Sequence, residues 1–252
     1  MAISALVLYS GFGLGTLLMP VFAIFFPVPV AVASTAVVHL ANNVFRIGFV
    51  GRNADWRVTI IFGLPAALFA VGGALILSWT SALEALTTYE LGGREFSITS
   101  VKLVVAALIG GFAALELTPV FASLQFGRRY LALGGALSGF FGGLSGHQGA
   151  LRSAFLAGVG LNATAFVGTA SIAALLVDAV RLTVYGTTIF SGRFSEALGE
   201  GSAGVVAVAI GAAFVGNLLA SRFLNGITMH AIRRLVGVLL AVLAVALATG
   251  IV

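Results

Sequence analysis

The chain contains no cysteine and very few charged residues. Of its 252 residues, 8% are Asp, Glu, Lys or Arg, while 60% are hydrophobic. The lack of cysteine excludes disulfides, thiolate metal sites and haem attached through thiols. Because a soluble domain carries roughly 25% charged residues, this composition predicts a membrane protein. Arg46 is the first charged residue, so residues 1–45 carry no charged side chain at all.

Common signatures of enzymes are also missing from the sequence. It has no H-E-x-x-H, no G-x-S-x-G and no G-x-x-x-x-G-K pattern, so we expect neither an enzyme nor a bound cofactor. The few carboxylates among the apolar segments predict no metal site. The net charge is +5, but the basic residues stand singly or in pairs at the ends of apolar segments. Such placement reflects membrane topology, so nucleic-acid binding is not expected.

Apolar segments recur along the whole chain, and most are close to the ~20 residues that a helix needs to cross a bilayer. They predict an all-α polytopic protein of the plasma or inner membrane, with about eight hydrophobic segments and no soluble domain. The predicted segments are 2–25, 30–50, 58–79, 98–124, 130–160, 163–187, 201–222 and 230–252.

A weak internal repeat runs through the sequence. Gly15 matches Gly149 at a shift of 134 residues, and Thr35 matches Thr169 at the same shift. Arg46 finds its counterpart one residue later, at Arg181. Because many secondary transporters consist of two related halves, we predict two homologous transmembrane repeats, 1–127 and 128–252.

The first segment of each half is rich in residues that weaken helices. Segment 2–25 has a glycine cluster and Pro20, and segment 130–160 has glycines 139, 142, 143, 146 and 149. We predict that both are broken or re-entrant helices, because freed backbone groups in a membrane need protein or a watery cavity around them. The alternative is that these glycines serve close helix packing.

If the first and fifth segments each enter and leave the membrane on the same side, the two repeats are inverted. The 80–97 loop then lies outside the cell. Seven basic residues would then share one side against three on the other, as the positive-inside rule requires, whereas eight full crossings give five against five. The seven are Arg52, Arg57, Arg128, Arg129, Arg222, Arg233 and Arg234, and the three are Arg94, Lys102 and Arg193.

A polar stripe lies in the second segment, where residues three and four apart share one face of a helix. The stripe consists of His39, Asn42, Asn43 and Arg46. Polar groups in hydrocarbon are costly, so such a face indicates a path for a solute, and the planar fork of an arginine suits an oxyanion. Alternatively, Arg46 extends to the membrane interface and the asparagines join helices.

The second half offers a matching set of polar residues. His147, Gln148 and Arg152 follow the glycine run, where a break would expose a helix N-terminus that attracts anions. Asp178 and Arg181 stand at i, i+3, a spacing that predicts a structural ion pair. We expect Arg181 to contribute to the same anion site, with backbone contacts from Gly13, Gly15, Gly146 and Gly149. Candidates for a coupling proton are His147, Glu116 and Asp178.

At these residues the chain resembles the TauE/SafE family of sulfite and organosulfonate exporters. The resemblance rests on Gly11 to Pro20, on Ala33 to Ala36 with Arg46, and on the second copy at Gly139 to Leu151 with Gly168 to Ala170. It covers nearly the whole chain as two halves. This chain departs from the family where it has His147-Gln148 in place of further glycine. The resemblance implies an inner-membrane permease for small sulfur-containing anions.

We therefore expect a secondary transporter that moves sulfite, an organosulfonate or a related oxyanion by alternating access between the repeats. Its partners would be the small anion, the lipid bilayer and a coupling proton or ion, and homo-oligomerisation stays open. Two alternatives remain from the sequence. One is a proton-coupled permease for a cation or a neutral solute, with Asp178 and Glu116 as its charged groups. The other is a membrane scaffold that transports nothing.

Overall fold

A computed structural model describes residues 14–118, 125–189, 202–223 and 229–252. Helices dominate these ranges, and one two-stranded hairpin interrupts them. In chain order the elements are α1 (Leu14–Phe25), α2 (Val28–Val50), α3 (Trp56–Ser81), β1 (Ala85–Leu91), β2 (Arg94–Thr99), α4 (Ser100–Leu117), α5 (Leu131–Ser145), α6 (Gly149–Ala157), α7 (Ala163–Thr188), α8 (Ser202–Phe223) and α9 (Met229–Ala248).

Four of the described helices are long and apolar enough to cross a membrane: α2 with the turn after it, α3, α4 and α7. Helices α8 and α9 contain shorter apolar stretches, 204–215 and 234–248. The structure thus confirms a predominantly helical membrane protein. The expectation of an all-α fold needs a correction at residues 85–99, which form an antiparallel hairpin around a turn at Gly92 and Gly93.

The hairpin is attached to the end of α9. Tyr89 donates its hydroxyl hydrogen to the carbonyl oxygen of Thr249, and the Lys102 ammonium donates to the carbonyl oxygens of Ser97 and Gly250 at 2.9 and 3.2 Å. Gly250 adopts φ 75°, a left-handed conformation that favours glycine. This end of the molecule is called the hairpin end below.

The opposite end gathers basic residues and is called the basic end. The turn between α2 and α3 touches α7 there, because the backbone N–H of Asp55 donates to the hydroxyl of Thr169 at 3.0 Å. The Arg128 Nε–H donates to the carbonyl oxygen of Val159 at 3.3 Å, which ties the start of α5 to the end of α6. Exposed arginines at this end include Arg52, Arg57, Arg128, Arg129 and Arg234.

Helices α5 and α6 form a re-entrant hairpin. α5 starts at the basic end and stops at Gly146, whose φ of 81° ends the helix in a left-handed turn. The chain then returns, since Phe155 of α6 lies against Gly134 of α5 and stacks on Phe126, with ring centroids 4.2 Å apart. The break predicted in the second glycine-rich segment is therefore present.

In the first half, the structure describes only part of the predicted broken segment. Residues 14–25 form α1, a helix of 12 residues that contains Pro20. At ~1.5 Å per residue it is roughly 18 Å long, about half of the bilayer. Residues 2–13, including Gly13, lie outside the described residues, and Gly15 falls in the first turn of α1.

Most glycines of α5 before Gly146 serve close packing instead. A Cβ atom at Gly135, Gly139 or Gly143 would overlap a carbonyl oxygen of α3, namely that of Phe62, Ala66 or Ala70 respectively. The residue numbers rise together, so α3 and α5 run parallel with their backbones in contact. The glycine run thus has both of the roles considered from the sequence, packing along most of α5 and a break at its end.

Candidate functional site

The buried polar residues of both halves meet around one carboxylate, Asp178 of α7, which is fully buried. Helix α2 packs antiparallel to α7, since Gly168 approaches the carbonyl oxygen of Val50 near one end while His39 reaches Asp178 farther along. The polar stripe predicted on α2 therefore faces the centre of the second half.

Asp178 accepts hydrogen bonds at both of its carboxylate oxygens. Arg181 donates from Nε and Nη2 to Oδ1 at 3.0 and 2.7 Å, and Gln148 Nε2 donates to the same oxygen at 3.1 Å. On the other oxygen, Oδ2, Nδ1 of His39 lies at 2.6 Å and Asn43 Nδ2 donates at 3.2 Å. The ion pair predicted from the spacing of Asp178 and Arg181 is present, and three further predicted ligands are bound to its carboxylate.

Arg181 is held in place by backbone as well as by Asp178. Its Nη1 donates to the carbonyl oxygen of Gly142 at 3.1 Å, and it lies one turn from Tyr185, which donates its hydroxyl hydrogen to the carbonyl oxygen of Gly143. Gly146 leaves space for this guanidinium, since a Cβ there would lie 3.1 Å from Nη1. The second-half arginine therefore fixes the broken helix to α7.

His147 lies in the turn between α5 and α6 with 1% of its surface exposed. Its Nδ1 lies 3.0 Å from the carbonyl oxygen of Ser145, and its ring stacks on Phe112 of α4 with centroids 5.8 Å apart. Within the described part of the chain, Nε2 has no hydrogen-bond partner. A buried ring nitrogen without a partner is costly unless a ligand or water meets it.

Arg152 of α6 is the most exceptional residue of the site. Only 5% of it is exposed, yet its Nε and Nη1 atoms find no acceptor among the residues that the structure describes. Its guanidinium interacts electrostatically with Asp178 and with Arg46. Arg46 itself is half-buried on α2, and its Nε also has no acceptor in the described ranges. Because Arg181 already compensates Asp178, these two arginines leave an excess of positive charge.

The N-terminus of α6 adds to this positive field. The helix is 9 residues long, and no side chain caps its first turn. The N–H groups of a first helical turn point away from the helix and favour an anion. Gly149 stands at this N-terminus and Gly146 ends the preceding helix, so both predicted glycines flank the break at which His147 lies.

Two further predicted residues are buried, and both have partners. Asn42 is 1% exposed on α2. Glu116 is 6% exposed on α4, one turn beyond the Phe112 that stacks on His147.

Several residues of the site were not predicted from the sequence. Ser138 donates its hydroxyl hydrogen to the carbonyl oxygen of Gln148 at 3.0 Å and so fixes the turn before α6. Phe112 and Tyr185 support His147 and the glycine backbone, respectively. For Tyr185 a signal existed, since it stands four residues after Arg181 on the same helical face. Phe112 gave none, because apolar side chains are everywhere in this sequence.

A comparison with known families identifies the class to which this protein belongs. The sulfite exporter TauE/SafE family matches residues 1–247 of the 252. The chain belongs to the TauE/SafE family. Membership makes it a membrane transport protein, and the family that the sequence motifs suggested is confirmed. No curated protein matches the chain. No solved structure matches it either.

Proposed function

We propose that this TauE/SafE protein is a secondary transporter for small sulfur-containing oxyanions such as sulfite or organosulfonates. The observation that supports it most is Arg152, a buried guanidinium with two nitrogen atoms that lack acceptors within the described structure. An oxyanion supplies the acceptors that this side chain lacks, and it offsets the charge that Arg152 and Arg46 share.

In this proposal the anion lies between Arg46 and Arg152, near the N-terminus of α6. Asn42 and His147 line the same space, and His147 Nε2 meets the anion directly or through water. The other predicted ligands do not contact the anion in this proposal. They are His39, Asn43, Gln148 and Arg181, which contact Asp178 and hold the wall of the site.

Alternating access would use the two halves as inverted repeats, with boundaries near 1–127 and 128–252. The helix pairs that occupy equivalent places support this arrangement. α2 packs antiparallel to α7, and α4 packs antiparallel to α9, where Gly110 meets Ala244 and Gly237 meets Leu117. A two-fold axis in the membrane plane makes equivalent helices at the axis antiparallel, whereas an axis along the membrane normal keeps them parallel.

We propose a multi-pass arrangement in the plasma or inner membrane, with the basic end in the cytoplasm. Exposed arginines concentrate at that end, and Arg94 and Lys102 lie at the hairpin end together with Glu84, Glu90 and Glu95. This supports the charge bias expected from the sequence. Arg193 and the side chains of Arg222 and Arg233 lie outside the described residues.

A permease for a cation fits the site less well. Asp178 is already engaged by Arg181, His39, Asn43 and Gln148, so a cation would have to displace these donors. The arginines around it would repel that cation.

Transport of labelled sulfite into proteoliposomes tests the proposal. We expect Arg152→Ala and Arg46→Ala each to lower the initial rate about 10-fold or more, because a charge-assisted hydrogen bond contributes about 1.5–3 kcal/mol. Arg57→Ala is the matched control, since it removes an exposed arginine from the basic end. Normal sulfite transport by both site variants, or no sulfite transport by the wild type, contradicts the proposal.

A further inference from the structure

His39 and Asp178 form a contact that anion binding alone does not require. The Nδ1 atom of His39 lies 2.6 Å from Oδ2 of Asp178, and the side chains are 3% and 0% exposed. Because Arg181 donates two N–H groups to Asp178, the carboxylate acts as the acceptor in its contact with His39 and Nδ1 carries the hydrogen. Nε2 is then the nitrogen of His39 that gains or loses a proton. Asn43 donates to Asp178 in either state.

The charges around His39 oppose one another. Burial disfavours a charged imidazole most, Asp178 stabilises a proton on it, and Arg152 of α6 and Arg181 of α7 oppose that proton. Tyr185 of α7 also interacts with Asp178. Of the described helices that pack on α7, α3 carries no titratable side chain over residues 58–81, and α5 carries none at all.

The three residues that the sequence predicts as candidates for a coupling proton are less suited to exchange it than His39. Asp178 receives two N–H groups of Arg181, and a proton would have to displace that pairing. A charged His147 would face Arg181, and its Nδ1 already lies against the two oxygens of Ser145. Glu116 lies one turn beyond the Phe112 ring that stacks on His147, and it already has a partner of its own.

We propose that His39 takes up one proton at Nε2 when an anion binds at Arg152. An anion there offsets the positive charge that otherwise repels a proton on His39, so the two ligands favour each other's binding. By linkage, the factor by which the anion strengthens proton binding equals the factor by which the proton strengthens anion binding. This inference rests on the proposed function and names its coupling ion.

The proton balance of the step is simple. A proton from water adds to the lone pair of Nε2, and the resulting positive charge is held against the carboxylate of Asp178. When the anion leaves, the same proton returns to water, and no other bond forms or breaks. His39 thus acts through Arg152 on the anion and is a positioning residue in this sense.

The number of protons moved per sulfite tests the inference. Proteoliposomes with a trapped pH indicator receive labelled sulfite at a pH above the one at which sulfite loses its last proton, and protein-free liposomes give the background. We expect the wild type to move about one proton with each sulfite in the same direction, because binding of the anion and of the proton favour each other. A wild-type ratio near zero overturns the inference, and the proposed function survives if sulfite still moves.

Two variants assign the proton to a residue. In His39→Gln the amide N–H still reaches Asp178, and we expect the ratio to fall to background even though sulfite exchange remains measurable. In His147→Gln we expect the wild-type ratio. A ratio near one in His39→Gln, or loss of the ratio in His147→Gln alone, contradicts the assignment to His39. If His39→Gln does not fold, the wild-type ratio still decides whether a proton accompanies the anion.

Discussion

At the scale of residues, the charges of the two halves are compensated differently. Arg181 has a carboxylate three residues before it, Asp178, whereas Arg46, its counterpart in the predicted repeat, has Asn43 at that place. Both Asp178 and Arg181 are fully buried, and Arg46 is half-buried with an unpartnered Nε in the described structure. Arg181 is therefore neutralised within the protein, whereas the Nε of Arg46 has no acceptor in the described structure.

Asp178→Asn should destabilise the protein strongly. The change leaves Arg181 buried without a counter-ion, and breaking a buried pair typically costs about 3–5 kcal/mol. Thermal unfolding in detergent measures the effect. The double variant Asp178→Leu with Arg181→Met removes both charges and should be more stable than Asp178→Asn. Equal melting temperatures for Asp178→Asn and the wild type would show that the pair is not needed.

At the scale of elements, α3 and α5 make their contact through backbone. Glycines of α5 face carbonyl oxygens of α3 along about two turns, and Gly73 of α3 returns the same contact to Phe140. Since a Cβ at these glycines would overlap main-chain atoms, the two helices cannot relax around a larger residue without moving apart.

Gly139→Ala should therefore lower the melting temperature. Its new methyl group would overlap the carbonyl oxygen of Ala66, and overpacking of a tight site costs about 1–3 kcal/mol. Gly72→Ala is the matched control, because nothing lies within 4 Å of a Cβ there. It should be neutral or stabilising by up to ~1 kcal/mol, as alanine favours helix. Similar losses for both variants would contradict the proposed contact.

The elements also show what the sequence predicts and what it does not. Apolar segment length, the break near Gly146 and the Asp178–Arg181 pair follow from local patterns, so they were predictable. The contact between His39 and Asp178 joins residues 139 apart and depends on how α2 packs on α7, which no local pattern indicates. The hairpin at residues 85–99 has strand-like sequence and a Gly-Gly turn, but most of it lies in the 80–97 stretch that the charge bias predicts as an external loop.

At the scale of the whole molecule, re-entry of α5 and α6 determines the orientation of everything after them. Arg129 precedes α5 and Thr164 follows α6, and both lie at the basic end. Glu90 lies in strand β1, at the hairpin end. A segment that crossed completely would put Arg129 and Thr164 on opposite sides.

Because the chain contains no cysteine, a single introduced cysteine is its only thiol, and labelling of that thiol tests this arrangement. We expect Arg129→Cys and Thr164→Cys to react with an impermeant maleimide from the same side of the membrane, and Glu90→Cys from the other. All three positions are exposed. Labelling intact cells and inverted vesicles separates the sides. Reaction of Arg129→Cys and Thr164→Cys from opposite sides would contradict the re-entrant hairpin.

The glycine contact between α3 and α5 also restricts how the transporter can change shape. Because their backbones touch at these glycines, we expect α3 and α5 to move together. A switch between states open to either side would then keep this contact, and the bending would fall on the left-handed turn at Gly146, beside His147. The turn that exposes the N-terminus of α6 would then also carry the motion that opens the site to one side of the membrane or the other.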